Sequence, residues 1–399
     1  MVGKSIVRPR TYVLGAAALV IAGAVVGLGI GAGLDLTRPS HAQDTQLAAA
    51  VRSPLPGVPQ SPFVPVVEKA LPAVVFIDVQ KKVADSGDPS EQMMRGLFGD
   101  NSPFTVRRNQ KVPSSGSGFI IDASGRILTN NHVVRDAETI TVTLNDGRSF
   151  KARTIGADAE TDVAVIQVDA KDLPVLELGD SDQLKVGDWA IAIGNPLGEL
   201  RGSVTVGIIS AQGRSDLNIM GGTPGFQDFI QTDASINFGN SGGPLCNTAG
   251  QAIGINTAIN TSGQGIGFAI PINLARHVAE QLIAHGQVRR SMLGVNLAEM
   301  TPDLAEGFGI AGQKGVIVQK VIDGTPAQKA GLQRNDVIVE YNGSPVSDMQ
   351  KFRLKVADTP VGSTAKLVVL RDGKRTPFEI TLADRDPKLA ANAPSKAAD

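Results

Sequence analysis

From Ala73 onward the chain alternates short apolar runs rich in Val, Ile and Thr with clusters of turn-forming residues. The runs are AVVFIDVQ (73–80), GSGFIID, RILTN, TITVTL, TDVAVIQV, WAIAIG, SVTVGIIS, FIQTD, QAIGINTAI and GIGFAI, with turn signals such as Asp122 to Gly125 and Asn145-Asp146-Gly147 between them. Branched residues suit a pleated, half-buried surface, and Gly, Asn and Asp supply the bends, so each run predicts a strand. They are too many for one small sheet. The pattern predicts a mainly β fold of two antiparallel barrels, with a seam near Leu173 to Gly187.

The strands end at a helix signal. Pro271 stands where the first turn of a helix accepts proline, Leu274, Val278 and Leu282 recur at four, and Gly286 supplies the stop. A compact α+β module follows from about Ser291 to Asp384, with strands in GVIVQKV, DVIVEYNG and AKLVVLRDG and helices near PAQKAGL and DMQKFRLKV. The predicted organisation is a signal or anchor segment at 1–34, a tether at 35–62, the two-barrel domain at 63–288, the α+β domain at 289–385 and a disordered tail at 386–399. The tether is rich in Pro, Ala, Ser and Gln and has no sustained apolar period. Two loops break the strand rhythm: residues 81–115, polar around the apolar island MMRGLFG, and Gly213 to Gln227, whose glycines leave it free to move.

The N-terminus carries a targeting signal. Lys4, Arg8 and Arg10 precede an uncharged run from Thr11 to Leu34, long enough to cross a bilayer as a helix. Positive charge before the run puts the N-terminus in the cytoplasm and the rest outside. Two outcomes stay open. The run remains as an anchor, or PSHAQ, with Ser40 and Ala42 in a small-x-small pattern, is cleaved so that the chain begins at Gln43. Residues 43 onward are exported in both.

Composition narrows the function classes. A length of 399 residues suggests two or three domains, and 45 Gly with 23 Pro fit a turn-rich β protein. The formal net charge is -1 and no long basic block exists, so nothing argues for a nucleic-acid partner. The single cysteine, Cys246, excludes an intramolecular disulfide and a cysteine-based zinc cluster, and reads as a small buried apolar residue. No metal site, cofactor motif or nucleotide-binding loop is expected.

Candidate chemistry centres on FIQTDASINFGNSGGPL (229–245). Glycine in a strand pattern costs entropy and packs nothing, so Gly239, Gly242 and Gly243 mark a special backbone shape around Ser241. One such shape aims successive N–H groups at one point and makes an anion-binding nest. A serine there becomes a nucleophile when a base takes its proton and a third group holds the base. Of the four histidines, His41 lies in the tether and His277 and His285 on the helix, which leaves His132 in ILTNNHVV at the end of a strand. Asp162, in AETDVAVIQV, stands just before another. The order His, Asp, Ser, with the serine in the second set of strands, is a known triad order for two-barrel proteases with the site in the seam. The reading makes His132 the base, Asp162 its orienter and Ser241 the nucleophile. The N–H groups of Gly239 and Ser241, with Asn240 between them, surround the oxyanion.

TNNHVV, TDVAV and GNSGGPL, followed by GIGFAIP, resemble the HtrA (Deg) family of exported serine proteases, trypsin-like in fold, and the following module resembles its PDZ domain. The likeness covers roughly residues 62–384. It implies an ATP-independent endopeptidase acting on unfolded or signalling proteins. It also implies that Ile236 helps form the pocket for the residue before the cut, which favours small aliphatic side chains such as Val or Ala. Arg214 in GRSDL matches an arginine that relays activation from the PDZ domain to the oxyanion turn. In RRSMLGV, Met292, Leu293, Gly294 and Val295 match the loop that holds a peptide's C-terminal carboxylate on backbone N–H groups while the peptide adds as a strand. The resemblance further implies a homotrimer built on the segment near SPFVPVVEKALP. Phe238 departs from the pattern, since many relatives carry a polar or small residue there. A PDZ-based chaperone with little proteolysis is the alternative, and the intact triad weighs against it. A generic esterase is opposed by the strand pattern, in which no nucleophile elbow joins a strand to a helix.

Overall fold

The computed structural model describes residues 60–81, 112–194, 202–215, 217, 225–237, 239–259, 265–307, 310 and 312–385. The Thr11 to Leu34 run, the processing motif at Ser40 to Ala42, nearly all of the tether, most of the loop at 81–115, Phe238 and the tail lie outside the described residues.

The strand-rich part folds as two closed six-stranded barrels. The first consists of β1 (Val74–Lys81), β2 (Val112–Ile120), β3 (Arg126–Asn130), β4 (Ala137–Leu144), β5 (Ser149–Asp158) and β6 (Val163–Val168), in the order β1-β2-β3-β6-β5-β4. The second consists of β7 (Trp189–Gly194), β8 (Ser203–Arg214), β9 (Phe229–Thr232), β10 (Pro244–Cys246), β11 (Ala252–Ile259) and β12 (Gly267–Pro271), in the order β10-β11-β12-β9-β8-β7. Alternation does the sorting, because successive side chains of a strand point to opposite faces. Val75, Ile77, Ile120, Ile127 and Ile166 fill the first barrel, and Ala190, Ala192, Ile230, Leu245 and Ala269 fill the second. The opposite faces of the same strands make the seam, where Phe119, Leu128, Val163 and Val165 share a core with Ile191, Ile193 and Phe268.

The helix Ile272–His285 seals that seam with Ile272, Ala275, Val278 and Leu282. Pro271 is its N-cap rather than a first-turn residue, and Gly286 ends it in the left-handed conformation at φ 72°.

The second module contains β13 (Ser291–Met292), β14 (Val295–Glu299), β15 (Val316–Val321), β16 (Val337–Tyr341), β17 (Ser344–Pro345), β18 (Thr364–Arg371), β19 (Lys374–Thr381) and β20 (Ala383–Asp384). Its main sheet runs β14-β15-β16-β18-β19, with β17 on β16, and β13 pairs with β20. The helices Pro326–Ala330 and Met349–Asp358 cover a core of Val316, Val318, Ile338, Phe352, Leu367 and Ile380.

The chain enters and leaves this module at one point, where the Arg385 N–H donates to the Arg290 carbonyl at 2.8 Å. Arg290 and Asp158, both buried, form a two-pronged pair at 2.9 and 2.6 Å. Arg385 holds Glu160 at 2.6 and 2.7 Å. The guanidinium groups of Arg290, Arg385 and Arg353 lie 4.9, 5.4 and 5.8 Å from the centre of the Phe226 ring. Burial by itself would push the Asp158 carboxyl up, but Arg290, assisted by Thr161, holds it below the usual carboxylate range.

Removing Arg290 therefore strands a buried carboxylate. Arg290→Ala is expected to cost about 3–5 kcal/mol of stability at neutral pH, read as a lowered melting temperature. A depressed carboxyl contributes stability above its unfolded pKa and loses it as pH falls through the folded value. The melting gap between wild type and Arg290→Ala should accordingly close in acid, and a gap that stays constant would show that the pair is not its source.

Candidate active site

The short helix Asn131–Val134 follows β3 directly and brings the His132 ring to the surface, 35% exposed. Asp162 stands just before β6 with φ 58°, a conformation that a non-glycine residue keeps only when its surroundings hold it. They do so at its carbonyl, which accepts from the Asn131 N–H and the Asn130 side-chain amide, both at 3.0 Å.

The buried Asp162 carboxylate takes three donors. Oδ1 accepts the His132 backbone N–H at 2.9 Å, and Oδ2 accepts the His132 ring Nδ1 at 2.7 Å and the Thr257 hydroxyl at 2.8 Å. A carboxylate only accepts, so Nδ1 carries a proton, which in the neutral ring leaves the lone pair on Nε2. The backbone of His132 has a further partner, as Lys81 Nζ donates to its carbonyl at 2.9 Å.

Ser241 stands in the turn before β10. Gly239 has φ 101° and Gly242 φ 84°, values that side chains disfavour, and a Cβ on Gly242 would lie 2.1 Å from the Ser117 carbonyl oxygen. Most polar backbone groups of the turn are occupied. Asn240 N–H donates to Asn237 at 3.0 Å, Gly242 N–H to Asn256 at 2.8 Å and Gly243 N–H to Asn240 at 2.9 Å. Ser117 donates to two of its carbonyls, those of Gly239 and Ser241. The N–H groups of Gly239 and Ser241 have no hydrogen-bond partner among the described residues. The Ser241 hydroxyl donates to the Thr257 carbonyl at 3.3 Å. Thr257 thus joins the serine to the carboxylate that holds the histidine.

The remaining residues singled out in the sequence fall in different places. Ile236 is buried in the second barrel's core, with its Cδ1 against Gly267. Asn240 has its N–H engaged inside the turn, and its side-chain amide donates to the Ser235 carbonyl at 3.3 Å. Arg214 ends β8, exposed, with Nε on the Gln231 side chain at 2.8 Å. Met292 belongs to β13, Leu293 is buried, Gly294 has φ 86° and Val295 begins β14 at the edge of its sheet. Cys246 is fully buried, which pushes its thiol up to about 12. Among the described residues no group of three or more His, Cys, Asp or Glu could hold a metal ion. Sequence reasoning missed Thr257 and Ser117. Each is one polar residue in an ordinary strand run, QAIGINTAI and GSGFIID, with nothing there to mark it.

Two closed barrels with a histidine, carboxylate and serine gathered in the seam, followed by this small capped sheet, are the architecture of a trypsin-like endopeptidase joined to a PDZ domain. The family model for a trypsin-like peptidase domain matches residues 116–255, and that for a PDZ domain residues 291–382. The chain is 42% identical over 349 residues to the periplasmic pH-dependent serine endoprotease DegQ of Escherichia coli, covering 86% of this chain and 74% of that one. It is 39% identical over 385 residues to the periplasmic serine endoprotease DegP of Salmonella typhimurium, covering 90% and 79%. Among solved structures, the HtrA-type protease AlgW with a decapeptide superposes with a TM-score of 0.64 at 43% identity, over 81% of this chain and 98% of that one. The chain belongs to the HtrA (Deg) family of serine endoproteases. Its relatives are periplasmic, and the periplasm is its compartment too. No helix among the described residues is long and apolar enough to cross a membrane.

The crowding at Gly242 gives a direct test of the turn. Gly242→Ala puts a methyl group into the Ser117 carbonyl at an unfavourable φ, so cleavage of casein should fall to background and stability by more than about 2 kcal/mol. Wild-type turnover in this variant would mean that the turn has another working shape.

Proposed function

We propose that the enzyme cuts unfolded or signalling proteins in the periplasm through an acyl-enzyme on Ser241. The observation that carries this reading is the turn itself, which leaves the N–H groups of Gly239 and Ser241 unengaged while those of Asn240, Gly242 and Gly243 are tied down. Rotation of the Ser241 side chain frees its hydroxyl from Thr257 for His132 Nε2, and such contacts commonly tighten only when substrate binds. Nε2 then takes the proton as Oγ attacks the scissile carbonyl. The Gly239 and Ser241 N–H groups receive the oxyanion, each worth about 3 kcal/mol of barrier. Asp162 steadies the imidazolium, which passes its proton to the leaving amine before water releases the acyl group. Thr257 holds Asp162 in place from the second barrel. Asn240 contributes through its place in the turn rather than as a donor. Ile236 helps shape the pocket for a small aliphatic residue before the cut.

Regulation in this reading runs through the PDZ domain, whose proposed limits are residues 289–385. The carbonyls of Leu293 and Gly294 are taken by the N–H groups of Ala327 and Ile322, both at 2.9 Å, which supports the reading that N–H groups of the Met292 to Val295 loop receive a carboxylate. The edge strand β14 offers the incoming peptide a pairing partner. AlgW, solved with a decapeptide and with a tripeptide, supports peptide binding in this family. Arg214 relays the signal, at the start of a loop whose far end carries the arginine-packed Phe226. The assembly is a homotrimer built around the N-terminal helix Val64–Ala70, consistent with Phe63 stacked edge-on against a half-exposed Trp189 at 5.2 Å. The Thr11 to Leu34 run anchors it to the inner membrane, and a mature chain starting at Gln43 would mark cleavage instead.

Two experiments test these roles. Ser241→Ala should abolish casein cleavage in a folded protein, and His132→Ala should fall to a similar level because the residues act as a unit. Full activity in either would sink the assignment. Peptides with a free hydrophobic C-terminus should speed hydrolysis of a small chromogenic substrate too short to reach the PDZ domain. A tenfold gain from a small active fraction needs about 1.4 kcal/mol of preference for the active state. Amidating the peptide should remove most of the gain, and Arg214→Ala should uncouple it; an unchanged rate at saturating peptide would leave tethering as the domain's role.

A further inference from the structure

Ser117 of β2 grips the Ser241 turn with two groups at once. Its backbone N–H donates to the Ser241 carbonyl at 2.8 Å and its hydroxyl to the Gly239 carbonyl at 2.5 Å. Its own carbonyl accepts the Thr129 hydroxyl at 2.7 Å, and both residues are fully buried. Thr129 lies on β3, three residues before His132. A chain of hydrogen bonds therefore leads from the strand that runs into the histidine's short helix, in the first barrel, to the turn that carries the serine, in the second.

We propose that Ser117 is a positioning residue for proteolysis, whose hydroxyl aims the N–H groups that receive the oxyanion. This rests on the reaction proposed above. An oxyanion donor is effective only when it is already oriented as charge develops. Gly239, at φ 101°, has backbone freedom that no side chain limits, so its orientation has to come from outside. Ser117 supplies it. The peptide unit between Gly239 and Asn240 is held at its oxygen by Ser117 and at its nitrogen by the Asn237 carbonyl. With that unit fixed, and with the Ser241 carbonyl held by the Ser117 N–H, the flanking N–H groups of Gly239 and Ser241 keep one direction. Without the hydroxyl, the buried Gly239 carbonyl would turn to seek another donor, and the dihedrals on either side of that peptide unit, which aim the Gly239 and Ser241 N–H groups, would shift with it.

The test uses the full chain in wild-type form and as Ser117→Ala, Ser117→Cys and Thr129→Val. Turnover of a short chromogenic peptide is measured with the affinities of a peptidyl boronic acid, which places an oxygen where the oxyanion forms, and of the matching uncleaved peptide. Ser117→Ala should lower kcat by about ten- to a hundredfold, less than outright loss of a donor, with KM within about twofold. Boronate affinity should fall in step with kcat while the uncleaved peptide binds as before. Ser117→Cys, with a weaker donor in a similar volume, should lie between Ala and wild type, and Thr129→Val should fall less than Ser117→Ala. If Ser117→Ala does not fold, the Cys and Val variants carry the same comparison. Wild-type kcat and boronate affinity in Ser117→Ala would overturn the proposal, as would an equal loss for both ligands, which marks a merely structural residue. Labelling with a fluorophosphonate separates the two layers. A label on Ser241 with unchanged Ser117→Ala kinetics removes the positioning role alone, whereas a label on another residue removes the reaction and this role together.

Discussion

A buried carboxylate that accepts three donors cannot move without leaving at least one of them unpaired, and an unpaired buried polar group costs about 1–3 kcal/mol. Asp162 is under that constraint. Two of its donors belong to His132 in the first barrel and the third is the Thr257 hydroxyl in the second. The same carboxylate therefore sets the ring's tautomer and ties the His132 segment of the first barrel to Thr257 of the second. Its left-handed backbone, a strain of roughly 1–3 kcal/mol, is offset by the two donors on its carbonyl.

The barrels suit this arrangement because closure leaves neither with a free edge. Each is a stiff body with its own filled interior, and the shared core between them, sealed by the helix Ile272–His285, fixes their mutual placement. Stiff bodies put the freedom into connections. The polar contacts that cross the seam at the site are few and specific: Thr257 to Asp162, and Ser117 to Gly239 and Ser241.

Strands with sustained apolar runs were legible in the sequence because burial on one or both faces forces the pattern. β5 was not, since SFKARTIGAD lies on the barrel's wet side and alternates exposed with half-buried positions. The three-residue β10 is too short to show a period, and β14 and β19 carry mixed polar residues on a small sheet. At the site, His132, Asp162 and Ser241 stood out because each sits where a strand pattern breaks. Thr257 and Ser117 act through single hydroxyls inside unbroken strands, and threonine and serine there look like ordinary alternation. Asn240 illustrates the opposite limit: its place between Gly239 and Ser241 is plain in the sequence, but only the folded turn determines which N–H groups are consumed internally.

The pairing of β13 with β20, and of Arg290 and Arg385 with Asp158 and Glu160, makes the PDZ domain a cassette with both ends on one socket. Another peptide-reading domain could be exchanged for it if its two ends were equally close and each brought an arginine. The same geometry settles where the chain stands once the cassette is complete. Arg385 itself stands beside the loop that bears Asp162, so a domain grafted directly after it would be joined at the protease.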